Sequence, residues 1–219
     1  MDHLEFELSQ LKIGLLTMWT LVTDQLAKSK DAFVNQNITL ASEVIYSDPE
    51  VSALGLGINK DCENIFSKYS PISADRKLLL MIIKVNTYLK RQGDCAKEIA
   101  RCIIGINVFF DKQILDITQI VDMFNENIMM QTELMKAFEK EDCSIARKSY
   151  RRNEILDTIN NNSTSILARY IKSSTDKSEQ ALQIISIIRK LERAGDSSKN
   201  IAQEIILYSE AKALKLEVH

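Results

Sequence analysis

The chain has 219 residues, 45% of them hydrophobic and 26% charged, a balance that fits a folded globular protein and excludes a disordered one. Its 28 basic residues against 30 acidic ones leave a net charge of −2, without the basic excess of a nucleic-acid binder. Only six glycines and two prolines are present, where average usage gives roughly 12% of positions, so the turns of a sheet protein are excluded and an all-α fold is predicted.

Apolar residues recur three or four apart over most of the length, the period of one helix face. Leu4, Leu8, Leu11, Leu15, Met18, Val22 and Leu26 predict a first helix from Asp2 to Ser29. Leu40, Val44, Val51, Leu54, Ile58 and Ile65 predict a second from Thr39 to Tyr69. A kink is expected in it near Pro49, and Ser70–Pro71 should end it, since the residue before proline is pushed out of the helical region. Ser73 is the expected N-cap of a third helix reaching Phe110, with Ile82, Val85, Leu89, Ala96, Ala100 and Ile103 on one stripe.

A fourth helix is predicted over Lys112–Glu139, carrying Leu115, Val121, Phe124, Ile128, Leu134 and Phe138. Asp142 should cap a fifth, ending near Ile171, and Thr175 a sixth, reaching Glu210. Short polar connections at Asn35–Asn37, Lys140–Glu141 and Ser173–Thr175 imply antiparallel neighbours. The expected architecture is two tandem antiparallel three-helix bundles, six long helices in all, occupying residues 1–109 and 110–219.

The four cysteines form no CxxC pair or disulfide framework and read as buried reduced thiols. The acidic start MDHLEFELSQ does not suit a signal peptide. The longest apolar runs, Leu78–Ile83 and Cys102–Ile106, fall far short of the roughly 20 residues of a membrane span. A cytoplasmic protein is expected, with peripheral docking on a membrane complex left open. The two histidines, His3 and His219, stand at the ends of the chain. Triad, HExxH and Glu-x-x-His chemistry needs internal histidines, and no phosphate-binding glycine loop or nucleophile elbow is present. Chemistry, if any, falls to carboxylates.

The most informative feature is an internal repeat. Leu89-Lys-Arg-Gln-Gly-Asp-Cys-Ala-Lys-Glu-Ile-Ala100 matches Leu191-Glu-Arg-Ala-Gly-Asp-Ser-Ser-Lys-Asn-Ile-Ala202 at seven of twelve positions, 102 residues apart. Shared Gly93 and Gly195 speak for duplication, because glycine is costly inside a helix. The small residues Gly93, Ala96 and Ala100, and Gly195, Ser198 and Ala202, read as places of close helix approach. Beside them, Glu192, Asp196, Asn200 and Gln203 form a row of oxygen atoms on one face. Two readings of this row stand: ligands for a hard cation, or a solvated helix face. In the first repeat the row is Lys90, Asp94, Glu98 and Arg101, where Lys90–Asp94 and Glu98–Arg101 read as ordinary helical ion pairs. Arg147, Lys148, Arg151 and Arg152 read as a solvated basic face, Trp19 and Met18 as core.

The paired motifs resemble those of the PhoU family, as do FELSQLK-x-GLL-x-M, SEVIYSDPEVSAL and SPISADRKLLLMIIKVNTYLKR, so the likeness spans nearly the whole chain. The resemblance implies two three-helix bundles and a non-catalytic adaptor that restrains phosphate uptake and the phosphate-starvation response. Its implied partners are a phosphate transporter ATPase and a sensor histidine kinase, with a homodimer left open. It also implies iron or zinc bound through an acidic ExxxD motif, present as Glu192 and Asp196 but only half present as Asp94 with Lys90. Asp75 matches the acid of the family's Pro-x-x-x-Asp segment, followed by Arg76 and Lys77 where the family has Leu-Arg. The expected metal residues are Glu192, Asp196 and Asn200, with Asp94 and Glu98 in the first repeat, and metal is expected at the second repeat. Two other readings remain: a carboxylate-bridged metal-binding bundle or enzyme, and an accessory protein of a sodium–phosphate symporter.

Overall fold

The computed structural model describes residues 3–71, 73–105, 110–173 and 178–216. Regular structure among them is helical throughout: α1 (His3–Asn35), α2 (Ile38–Tyr69), α3 (Ser73–Ile104), α4 (Lys112–Thr118), α5 (Ile120–Lys140), α6 (Cys143–Ser173) and α7 (Ser178–Leu216). The helix boundaries follow local chemistry. Asn37 caps α2 by accepting a hydrogen bond from the Leu40 N–H at 3.0 Å, after Gln36 turns the chain at φ 49°. Ser70, left-handed at φ 44° ahead of Pro71, ends α2 and donates its N–H to the Phe66 carbonyl at 3.2 Å. Asp142 accepts from the Ser144 N–H at 2.8 Å and caps α6. Ser73 opens α3, but its side chain, like the expected cap Thr175, lies outside the described residues. The α2 helix runs unbroken through Pro49.

The expected fourth helix is two helices. Gln119 adopts φ 53° and donates to the Asp116 carbonyl at 3.3 Å, closing α4, and α5 starts immediately after it. Ile114, Ile120 and Phe124 are all buried, so the apolar period continues across the break and hides it from the sequence. The third helix stops at Ile104, short of the expected Phe110.

The two bundles are α1–α2–α3 and α5–α6–α7, with the short α4 lying against α5 and α6. They join through α3 against α7 and α1 against α5. Lys84 meets Glu204 at 3.0 Å, Gln92 meets Ala194 and Ser198, and Glu98 faces Lys190 at 3.9 Å. Numbers rise on α3 as they fall on α7, so the two repeated motifs cross antiparallel, centred near Gly93 and Gly195. The buried apolar residues form two clusters, and each draws on both halves of the chain. One holds Trp19, Val51 and Leu89 with Leu134, Phe138 and Ile201. The other holds Leu26, Phe33 and Ile99 with Phe124, Leu156 and Leu191. Trp19 and Met18 are core, as expected.

A buried polar seam crosses this junction. The Trp19 Nε1–H donates to Gln131 Oε1 at 2.7 Å, and the Gln131 amide donates to Ser198 Oγ at 2.7 Å. Gln92 donates to the same Ser198 Oγ at 2.7 Å and to the Ala194 carbonyl at 3.0 Å. Ser198, read from the sequence only as a small packing residue, is the hub of a network linking α1, α3, α5 and α7.

Candidate metal centre and its counterpart

The α7 helix presents Glu192 and Asp196 one turn apart, and α6 brings Asp157 up to them. Oxygen atoms of the three carboxyl groups lie within 4.8 Å of one another. Gly195 makes the approach possible: a Cβ there would stand 2.2 Å from Leu156 Cδ1 and 2.8 Å from Asn153 Oδ1. Asn153 is buried, and its amide Nδ2 sits 3.3 Å from both Asp157 oxygens and 3.4 Å from Asp196 Oδ1. Its Oδ1 has no hydrogen-bond partner. Burial, then the charges of Asp196 and Asp157, push the Glu192 carboxyl above its ordinary value, against a smaller pull from Arg193. None of the three acids makes an ion pair among the described residues. Three converging carboxylates without an ion-pair partner among the described residues could hold a cation. Their all-oxygen chemistry suits a hard one, since hard metals take carboxylates while zinc is more often held by nitrogen and sulfur.

The first bundle fills the same place differently. Asp48 of α2 approaches α3 as Asp157 approaches α7, but Lys90 occupies the motif position that Glu192 holds in the second repeat. The Lys90 ammonium lies 2.9 Å from Asp48 Oδ1 and 2.7 Å from Asp94 Oδ1. Lys97 reaches the other Asp48 oxygen at 2.5 Å. Burial pushes the Asp48 carboxyl up, but the hydrogen bonds and charges of the two lysines outweigh it and hold the carboxyl below its ordinary value. Here two ammonium groups supply the positive charge.

The remaining expected residues spread around this face. Asn200 lines an open groove of about 510 Å³ between α3 and α7, together with Asp94, Glu98 and Asp196. Glu98 faces Lys190 rather than pairing with Arg101. Asp75 sits in the first turn of α3, outside the acidic cluster. Sequence reasoning missed Asp157 and Asn153. The available signal was their four-residue spacing on the predicted fifth helix, but nothing there says which face meets the motif.

The basic run is a solvated face at Arg147, Lys148 and Arg151, all exposed, while Arg152 is half-buried. Arg152 bridges Glu126 at 2.9 Å and Glu133 at 2.9 Å, Lys148 lies 3.5 Å from Glu133, and Arg147 pairs with Glu210. All four cysteines are free. Burial raises the Cys62 and Cys95 thiols to about 12 and about 11, which leaves them inert.

Comparison with known proteins bears on the whole arrangement. The PhoU domain model matches residues 15–103 and again 120–205. The chain is 28% identical to a phosphate-specific transport system accessory protein PhoU homolog 1 of Thermotoga maritima, over 97% of this chain and 91% of that protein. It is 27% identical to the phosphate-specific transport system accessory protein PhoU of Escherichia coli, over 92% of this chain and 83% of that one. The crystal structure of PhoU from Pseudomonas aeruginosa superimposes with a TM-score of 0.88 at 24% identity, covering 94% of this chain and 98% of that one. These likenesses span both bundles.

Proposed function

The chain belongs to the PhoU family, and from that premise we propose that it is a cytoplasmic, non-catalytic regulator of phosphate uptake and of the phosphate-starvation response. It acts by contact, on a phosphate transporter ATPase and on a sensor histidine kinase. The observation that carries this reading is the match of both repeats to the family model, together with relatives named as accessory proteins of phosphate-specific transport over more than nine-tenths of this chain. No described helix is long and apolar enough to cross a membrane, so contact with a transporter falls to helix surfaces. Deleting the gene is expected to leave phosphate-responsive genes switched on in phosphate-rich medium. Unchanged expression, with a working complementation control, would overturn the regulatory role.

The acidic cluster is the second part of the proposal. Asp157, Glu192 and Asp196 hold a hard cation, which fixes α6 against α7 by neutralising their repulsion. At the first repeat Lys90 and Lys97 already supply that charge around Asp48 and Asp94, so no metal binds there. Elemental analysis of untagged protein tests both statements. Glu192→Ala/Asp196→Ala is expected to remove the metal, while Asp94→Ala/Glu98→Ala retains it. Equal loss in both variants would reject the asymmetry, and a metal-free parent would reduce the cluster to a solvated face.

A further inference from the structure

A groove between α6 and α7 takes no part in the acidic cluster. It has a volume of about 510 Å³ and is lined by Arg147, Tyr150, Arg151, Gln203, Ile206 and Leu207. Tyr150 and Gln203 stand about two helical turns from Asp157 and Asp196, roughly 10 Å along their helices. Tyr150 and Ile206 are half-buried and pack against the apolar core, while Leu207 is 58% exposed. No lining residue is acidic. Arg151 is exposed and makes no ion pair among the described residues, and the Lys199 ammonium stands 5.4 Å from the centre of the Tyr150 ring. Arg147 holds Glu210, and Lys148 beside it lies 3.5 Å from Glu133. The duplicated fold does not require such a surface. In the registers that match Asp157 with Asp48 and Asp196 with Asp94, the first bundle has Ile38, Ala41, Ser42, Arg101, Ile104 and Gly105 at these positions. They carry a single cation and no aromatic ring.

We propose that this groove docks a helix of a partner protein, one that combines an apolar anchor with flanking acidic residues. The existence of such a partner rests on the contact-based role proposed above. A groove between two antiparallel helices is shaped for the ridge of a third. A leucine-sized side chain set among Tyr150, Ile206 and Leu207 takes all of these apolar neighbours further out of water. Arg147 and Arg151 stand one turn apart on α6, so two carboxylates at i and i+4 of the incoming helix face them together. Each guanidinium offers the planar fork that a carboxylate fits.

Charge and shape select this occupant. Arg147, Lys148, Arg151 and Lys199 outnumber Glu154 and Glu210, the exposed acids within a turn of the groove on α6 and α7. Glu204, on the same stretch of α7, is turned to Lys84 of α3. The surplus attracts an acidic partner and repels a basic one. An anionic membrane suits the charge but not the shape. Of the apolar lining side chains only Leu207 reaches out, Tyr150 and Ile206 being half-buried, where a bilayer anchor needs a broad apolar face. One helix laid along one groove falls at the small end of specific interfaces, so the contact is weak and transient.

Fluorescence anisotropy with a labelled synthetic helix and the full chain tests the docking. The probe is an amphipathic peptide of roughly three heptads, leucine along one face and glutamate beside it, and its counterpart carries lysine for every glutamate. The glutamate peptide is expected to bind with a dissociation constant of roughly 1–100 µM, and the lysine peptide about tenfold more weakly. Arg147→Glu/Arg151→Glu should reverse that preference, and Leu207→Glu should abolish binding of both. Helical circular dichroism should stay unchanged in each variant, because these side chains already face water. Equal binding of the two peptides, or binding indifferent to Leu207→Glu, would overturn the docking site. Phosphatidylglycerol vesicles bound in place of the peptide, and lost in the same variants, would overturn it too. In cells, Arg147→Glu/Arg151→Glu at normal protein level is expected to reproduce the effect of the gene deletion on phosphate-responsive genes. A variant that behaves as the parent where the deletion does not would reject the groove and keep the regulatory role. A deletion without effect would reject that role alone, and the peptide measurement then decides the groove.

Discussion

Asp48 and Glu192 carry the same functional group in related surroundings and feel opposite fields. Burial raises both. Two lysines reverse that effect at Asp48, while two further acids reinforce it at Glu192. The consequence for stability can be read from the sign at Asp48. Its native carboxyl titrates below the ordinary 3.8, so the unfolded chain binds the proton more readily. The stability this group contributes is complete above that ordinary value and is lost as pH falls through it toward the native one. Asp48→Asn is expected to cost about 2 kcal/mol near neutrality, the worth of hydrogen bonds between charged groups, and clearly less at pH 3. Urea unfolding of parent and variant at both pH values checks this, and an equal loss at the two would reject the ion-pair account. Glu192 and Asp196 were legible in the sequence because they share one helix face, where spacing alone sets the geometry. Asp48 and Asp157 were not, because each enters from a neighbouring helix whose rotation only the packed bundle fixes.

Duplicated glycines at the centres of α3 and α7 do different work. A Cβ at Gly93 would meet Gln25 Oε1 at 3.1 Å and Val51 Cγ1 at 3.4 Å, contacts that a small side-chain shift relieves. One at Gly195 would drive into Leu156 and Asn153. Gly93→Ala is expected to be close to neutral, the gain of about 1 kcal/mol in helix propensity offsetting the crowding. Gly195→Ala should lose about 1–3 kcal/mol, as overpacked cores do, and should push α6 away from the acidic cluster. Thermal melts of the two variants decide between this asymmetry and an equivalent role for both glycines. The three long helices of each bundle and their order were readable from the 3.6-residue apolar period, and the caps at Asp142 and Ser70 from local chemistry. The break at Gln119 was not, because neither glycine nor proline marks it and buried Ile114, Ile120 and Phe124 keep the period across it.

Across the whole molecule, the two halves share both apolar clusters and the Trp19–Gln131–Ser198–Gln92 seam. Separating them would expose buried amides as well as core, so the chain is expected to unfold in one cooperative transition, seen alike by tryptophan fluorescence and circular dichroism. Ser198→Ala removes the acceptor shared by two glutamines and should lower that single midpoint by the equivalent of about 1–3 kcal/mol. Two separable transitions would show that the bundles fold independently. The antiparallel crossing of α3 on α7 has the form of a contact between identical subunits. An ancestral single repeat could have completed these cores only by meeting its twin, and any change at the crossing then had to suit both twins at once. Fusion into one polypeptide lifted that constraint. Glutamine could settle at position 92 and serine at 198, and lysine could stand at 90 where glutamate stands at 192, so that one repeated place holds two chemistries.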